Sequence, residues 1–372
     1  MKRVCHFSTV HSAYDVRIFY RECVSLAANG YEVDLLIKAD TAYNKLGVNV
    51  FPIKGYQNRI KRFLLGQMQL YRFLFKKNYD LYHFHDPELI PTGVILFLLG
   101  KKVVYDVHEN VVQQIKTKDY LPLRTMVSKC YGLVERIVSK MFFLILAEDS
   151  YENHYRPFTS RYQVVLNMPD LTFFRPFRML DRTDCENGIF YIGGISENRG
   201  VFQVIKALNE LKNRRISFHF HCIGRFDHGV MEKLEGMPAY EAVRENVTFY
   251  GPLSIEDGFV ISQECKVGVS ILKPIGNYEW SYSTKIFEYM AVGLPVITSN
   301  FQLYRQVVER HRTGMCVDPL RESEISMALE NVLTSDDRVN TFAQNGVKAV
   351  EEEYYWGREF EKLLSAYNNL IE

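Results

Sequence analysis

A fold of two doubly wound, parallel-sheet α/β domains is predicted by three features of this 372-residue chain. Short apolar runs alternate with amphipathic helical stretches, the pattern of parallel strands joined by crossover helices. The alternation halts at a Pro- and Phe-rich segment, L-N-M-P-D-L-T-F-F-R-P-F, with polar residues 181–187 behind it, and then begins again. A hydrophobic fraction of 47% over this length suffices for two separate cores. The domains are therefore placed at residues 1–180 and 181–350, with a last helical stretch over 351–372.

In chain order, the first half offers strands at 3–8, 32–38, 81–85, 102–106 and 143–147, with helices over 15–29 and 123–139 among the segments between them. The second half offers strands at 188–192, 217–223, 247–250, 267–271 and 296–298, with helices over 201–213 and 322–333. Ligands of such sheets gather at the carboxyl ends of the strands, so the loops there are where chemistry is expected.

Composition removes several classes of function. A charged fraction of 24% and an aromatic fraction of 14% exclude a disordered chain. Seven scattered cysteines with no C-x-x-C pair point to a reducing cytoplasm, without a disulfide framework or a cysteine zinc site. No signal peptide is expected ahead of the first strand, and the longest apolar runs, 89–99 and 141–147, are too short to span a bilayer. The absence of G-x-G-x-x-G counts against a dinucleotide oxidoreductase.

The net charge of +1 hides a division. Residues 1–180 hold 25 Lys and Arg against 16 Asp and Glu, a net of +9, whereas residues 181–372 hold 20 against 28, a net of −8. Between Gln57 and Lys77 lie Arg59, Lys61, Arg62, Arg72, Lys76 and Lys77 with no acid, interleaved with apolar residues. A basic amphipathic helix of this kind suits an anionic membrane surface, and equally a helix that packs on the sheet and solvates its cations. Nucleic acid is not expected as a partner, since the chain is not basic overall and carries no recognition motif.

The densest chemistry lies in Y-S-T-K-I-F-E-Y-M-A-V-G-L-P-V-I-T, residues 282–298. Thr284, Lys285 and Glu288 fall on a short amphipathic helix that ends at Gly293, ahead of an apolar strand. Lys285 and Glu288, three residues apart, share a face. Alone, they read as a surface ion pair; beside a strand end, they suit a nucleotide sugar, with the lysine on the diphosphate and the glutamate on ribose or sugar hydroxyls. The second half opens with F-Y-I-G-G-I-S-E-N-R-G-V-F, in which Gly193 and Gly194 allow close backbone approach, the helix N-terminus favours an anion and Arg199 adds a cation.

The segment K-I-F-E-Y-M-A-V-G-L-P-V-I resembles the donor-site signature of retaining GT-B glycosyltransferases of family 4, and similarity to that family extends over essentially the whole chain. Glu288 matches the second glutamate of the signature; the slot of the first is taken by Trp280, with Glu279 one residue out of register. The resemblance implies two Rossmann-like domains facing across a cleft, with the final helix, Y-Y-W-G-R-E-F-E-K-L-L, crossing back onto the first. It implies transfer of a sugar from a nucleotide-diphosphate donor to a hydroxyl acceptor with retention, with no cofactor and no metal. Arg199 and Lys285 would clamp the diphosphate, Gly224 and Tyr250 would belong to the nucleotide pocket, and His108, in V-V-Y-D-V-H-E-N, would touch the transferred sugar. Asp106 and Glu109 flank that histidine. On the acceptor side the loop S-T-V-H-S-A-Y-D-V-R offers His11, Asp15 and Arg17; Arg17 could meet an acceptor phosphate with Asp15 orienting it, or Asp15 could cap a helix and leave Arg17 exposed. A lipid-linked acceptor and a peripheral membrane position in capsule or envelope polysaccharide synthesis follow from the family's habits and the basic segment. Competing readings are an epimerase or a phosphorylase of the same fold, and a non-catalytic subunit that binds sugar nucleotide. H-F-H-D-P-E invites a metal, since His83 and His85 share a strand face, but the sequence supplies no further spaced ligands. His219 and His221 read as ordinary core histidines.

Overall fold

The computed structural model describes every residue except 57, 110, 113, 114 and 116–122, so Gln57 of the basic segment lies outside the described residues. The chain divides into two compact units, one of Met1–Asn167 with Trp356–Glu372 and the other of Met168–Tyr355.

The first unit is built on β1 (Arg3–Ser12), β2 (Glu32–Lys38), β3 (Tyr43–Lys45), β4 (Val48–Ile53), β5 (Leu81–Phe84), β6 (Val103–Val107), β7 (Phe143–Leu146) and β8 (Tyr162–Val164), in the order β3-β4-β2-β1-β5-β6-β7-β8. All neighbours are parallel except β3 and β4. That pair is a hairpin turning at Leu46-Gly47, where both residues have positive φ, 52° and 81°. Such a turn matches the twist of the strands it joins but normally advertises itself as Asn-Gly, so Leu-Gly left no signal. Strand β2 is apolar where it is covered on both faces except at Asp34: Val33, Leu35, Leu36 and Ile37 are buried, and the buried Asp34 carboxylate accepts from Asn49, Lys77 and Tyr79. The last helix, Trp356–Ile371, closes this core with Trp356, Phe360, Leu363 and Tyr367, spaced four, three and four apart so as to share one face.

The second unit has six parallel strands: β9 (Gly188–Ile192), β10 (His219–Ile223), β11 (Val247–Gly251), β12 (Cys265–Ser270), β13 (Val296–Ser299) and β14 (Gly314–Val317), ordered β11-β10-β9-β12-β13-β14. The helix Val201–Asn213 buries Val201, Val204, Ile205, Leu208 and Leu211 against it. The Pro- and Phe-rich segment belongs to this unit: Phe174 and Phe177 pack on Phe259 at 4.9 and 6.2 Å between ring centroids. The division thus falls after Asn167 and not after residue 180, because those aromatic rings are core rather than connection.

Both sheets reverse direction about their first strand. From β1 the chain winds outward through β2 and returns to the other side at β5; from β9 it winds through β10 and returns at β12. The crevice at such a reversal, at the carboxyl ends, is the natural ligand site of an open parallel sheet.

Candidate active site

In the second unit the reversal is lined by the turn after β9. Gly193 has φ +134°, and a Cβ there would meet Lys285 Cε at 2.7 Å, with Lys285 Nζ at 3.2 Å and Arg199 Nη1 at 3.3 Å. Gly224, after β10, has φ +149°, and a Cβ there would fall 1.8 Å from the Gly193 carbonyl oxygen. Only glycine fits either position, and the lack of side chains brings two cations together over bare backbone. Gly194 lies against the Arg199 guanidinium. Lys285 also sits over the Tyr191 ring, 5.5 Å from its centroid, a supporting residue that no sequence motif revealed.

Lys285 stands in the first turn of the helix Thr284–Ala291, and Glu288 follows one turn on, half-buried. Burial first, then repulsion by Arg199, pushes the Lys285 ammonium down to about 8 from its ordinary 10.5, with Glu288 opposing the shift. Two like charges held against one glycine turn make a site that an anion completes. The sign follows: a depressed lysine destabilises the fold while charged, so this group adds stability as pH rises from about 8 toward 10.5. A bound diphosphate favours the charged form. Nucleoside diphosphate binding at pH 9 is therefore expected to take up a proton, and affinity to fall by up to about tenfold per pH unit above 8. Calorimetry in buffers of different ionisation enthalpy reads this directly; absence of proton uptake at pH 9 would remove Lys285 from the anion site.

Tyr250 lies on the edge strand β11, and its hydroxyl is hydrogen-bonded to His221 Nδ1 at 2.8 Å. Trp280, in the slot of the first glutamate, is 65% exposed on a short turn, Tyr278–Trp280, with Glu279 exposed beside it.

In the first unit the reversal between β1 and β5 gathers histidines. His108, just past β6, places Nε2 3.1 Å from Asp106 Oδ2 and 3.2 Å from His85 Nδ1. His11 lies 5.4 Å from His108 between ring centroids, with Nδ1 2.9 Å from Asp15 and Nε2 3.5 Å from Asp86. Burial opposes charge on His11, but the hydrogen bond and charge of Asp15, with Asp86 and Asp106 behind it, outweigh this and raise its pKa. Asp86 is buried and accepts from the Thr9 and Val10 amides, which fixes the bulge that ends β1.

The structure corrects the acceptor-side reading at three residues. Arg17 is buried and cannot reach an acceptor: Nε and Nη2 donate to Asp106, both at 2.9 Å, and Nη1 donates to the Val165 carbonyl and Asn167 Oδ1. Asp15 caps the helix Val16–Cys23 by accepting from the Arg17 and Ile18 amides; against burial, its hydrogen bond to His11 and then that from the Ile18 amide hold its carboxyl down at about 2. Asp106 is fully buried; despite burial, the Arg17 and His108 charges keep it well below the usual carboxylate range, and it orients His108 rather than meeting ligand. Glu109 is exposed beyond it.

Comparison with known proteins agrees with this architecture. The folded chain superposes on sucrose-phosphate synthase of Thermosynechococcus elongatus with a TM-score of 0.76 at 16% identity, covering 100% of this chain and 99% of that one. HepE of Anabaena, solved with UDP and glucose, gives 0.73 at 12% identity over 99% and 100%. WaaG, a glycosyltransferase involved in lipopolysaccharide biosynthesis, gives 0.70 at 16% identity over 98% of each. The fold is that of the GT-B glycosyltransferases. Within it, residues 186–335, which hold Arg199, Lys285 and Glu288, match the family described as glycosyl transferases group 1. The alpha-D-kanosaminyltransferase of Streptomyces kanamyceticus is 25% identical over 182 residues, 49% of this chain; the match spans 45% of that relative, about half its length.

Proposed function

We propose that the protein transfers a sugar from a nucleotide-diphosphate sugar to a hydroxyl of a lipid-linked saccharide, with retention and without a metal at the diphosphate. The observation that carries this is the pair of cations, Arg199 and Lys285, packed against Gly193 where the second sheet reverses. Charge grows on the diphosphate as the bond from the anomeric carbon to its oxygen breaks, and preorganised cations stabilise it there. The acceptor oxygen bonds to the anomeric carbon on the same face, and its proton passes to the departing phosphate oxygen. Glu288 accepts from hydroxyls of the donor, and His108, held by Asp106, meets the transferred sugar. UDP-sugars are the first donors to try, since HepE has been solved with UDP-glucose. A thermal-shift screen tests the donor site: nucleoside diphosphates should raise the melting temperature and the parent nucleosides should not. Equal shifts would contradict a site built on the diphosphate.

The membrane position gains support from the surface of the first unit. Ile60, Phe63, Leu64, Leu65, Met68 and Phe75 are exposed among the cations of the basic segment. The helix Arg124–Met141 likewise exposes Met126, Val127, Leu133, Val134 and Ile137. Two cations are already used, Arg62 by Glu88 and Lys77 by Asp34, which leaves Lys61, Arg72 and Lys76 exposed for lipid. Among the described residues no helix is long and apolar enough to cross a membrane. Each basic residue at an anionic surface contributes about 1 kcal/mol. The protein should therefore sediment with phosphatidylglycerol vesicles at low salt, and glutamate at positions 61, 72 and 76 should abolish this. Wild-type protein left in the supernatant at low salt would end the membrane reading.

A further inference from the structure

His83 and His85 were without further ligands in the sequence, but the fold supplies two. His6 comes from the neighbouring strand β1 and Glu22 from the helix Val16–Cys23, and one ligand atom from each of the four residues lies within 4.8 Å of the others. All four side chains are fully or almost fully buried. His6 Nδ1 and His85 Nε2 are 3.0 Å apart, and Glu22 Oε2 stands 3.8 Å from the first and 4.0 Å from the second. Ligand atoms on a tetrahedral ion with bonds of about 2.0 Å sit roughly 3.3 Å apart, so atoms that lie within 4.8 Å of one another must draw together by up to about 1.5 Å on loading.

The outer partners are those of a metal site. His85 turns its other nitrogen, Nδ1, to Asp106 at 3.1 Å, the carboxylate–histidine arrangement that fixes a ligating ring. The Tyr367 hydroxyl lies 2.9 Å from His6 Nε2 and 2.6 Å from His83 Nδ1, which leaves His83 Nε2 for a ligand. Without an ion, the chain of hydrogen bonds runs one way: His83 Nδ1–H to Tyr367, Tyr367 to His6 Nε2, His6 Nδ1–H to His85 Nε2, and His85 Nδ1–H to Asp106. That chain strands His83 Nε2, which has no hydrogen-bond partner, and both Glu22 oxygens, which accept no hydrogen bond although Oε1 lies 3.1 Å from Arg17 Nε. Buried polar atoms are seldom left so. Loading an ion requires one proton to move on His6, from Nδ1 to Nε2, where Tyr367 accepts it, and Glu22 to be ionised.

We propose that His6, Glu22, His83 and His85 bind a divalent transition-metal ion such as Zn²⁺ as a structural centre of the first unit. Three imidazoles and a carboxylate suit zinc, and four protein ligands without solvent access leave no open position for catalysis. The ion ties β1, β5 and the helix Val16–Cys23 together beneath the closing helix that brings Tyr367. The four residues belong to the first unit, whereas Arg199 and Lys285 belong to the second.

The full chain is produced in medium supplemented with zinc, or with cobalt, and passed through EDTA-containing gel filtration before elemental analysis. About one ion per chain is expected, with the visible absorption of tetrahedral cobalt(II) in the cobalt preparation. Glu22→Gln and His83→Gln should each lose the ion, and metal should raise the melting temperature of the wild type but of neither variant. Less than about a tenth of an equivalent in wild type would overturn the assignment. So would unchanged metal content in both variants, which would place the ion elsewhere. If neither variant folds, the wild-type content and cobalt spectrum decide alone.

Discussion

Alanine at Arg199 or at Lys285 is expected to lower kcat/KM for sugar transfer by about 10² or more, some 2.7 kcal/mol of transition-state stabilisation. The two side chains converge on Gly193 and repel each other, so each is held in place for a charge that develops only as the diphosphate leaves. The loss should appear in kcat as well as KM, because a partly screened ground-state diphosphate gains less from the cations than the departing one. Circular dichroism and melting temperature should stay close to wild type, and removal of Lys285 relieves a buried charge. Wild-type turnover in both variants would dismantle the site.

Arg182→Ala is expected to cost on the order of 3 kcal/mol or more of stability in the second unit, read as a shift of the denaturant midpoint. Arg182 is buried and donates to four carbonyls: Gly293, Ser262, Cys265 and Val292, at 2.6 to 2.9 Å. These carbonyls end the helix Thr284–Ala291 and the segment leading into β12, so the guanidinium braces the element that carries Lys285. Among the described residues no carboxylate pairs with it in that position, and burial pulls it down to about 10. Alanine removes one donor from each carbonyl, leaving Val292 only the Met179 amide and Ser262 only the Cys265 amide, and opens a cavity. A midpoint within experimental error of wild type would show that water replaces the guanidinium at no cost.

How far the sequence carried depended on whether a signal was local. The strand 188–192 matched because an apolar run covered on both faces is continuous in the chain, and 32–38 matched although the buried Asp34 interrupts its run. The strands β3, β8 and β14 escaped because three or four residues give no period, and the six-residue β4 escaped with its hairpin because Leu46-Gly47 is not a recognised turn pair. In the site, the glycine turn and the Lys285–Glu288 spacing are properties of one segment each, so chemistry could be read from them. Arg17 could not be read, because its partner Asp106 lies 89 positions away and nothing near Arg17 distinguishes a buried pair from an exposed cation. The same holds for Arg182, which sits in a polar stretch that reads as a connection, and for His6 and Glu22. Strand pairing sets His6 beside His83, and the packing of the helix Val16–Cys23 brings Glu22 to them.

The central claim is transfer of a sugar by this chain, and it is tested most directly by following one reaction by NMR. Purified protein is mixed with a nucleotide-diphosphate sugar, taken from a panel beginning with UDP-sugars, and a lipid-linked saccharide in the presence of EDTA. Nucleoside diphosphate is expected to be released in step with a new glycosidic bond of the donor's own anomeric configuration, with no consumption of donor without acceptor. Inverted product, or turnover that requires added Mg²⁺, would contradict the mechanism. Conversion of the sugar nucleotide with no acceptor present, or binding without turnover across the panel, would contradict the claim itself.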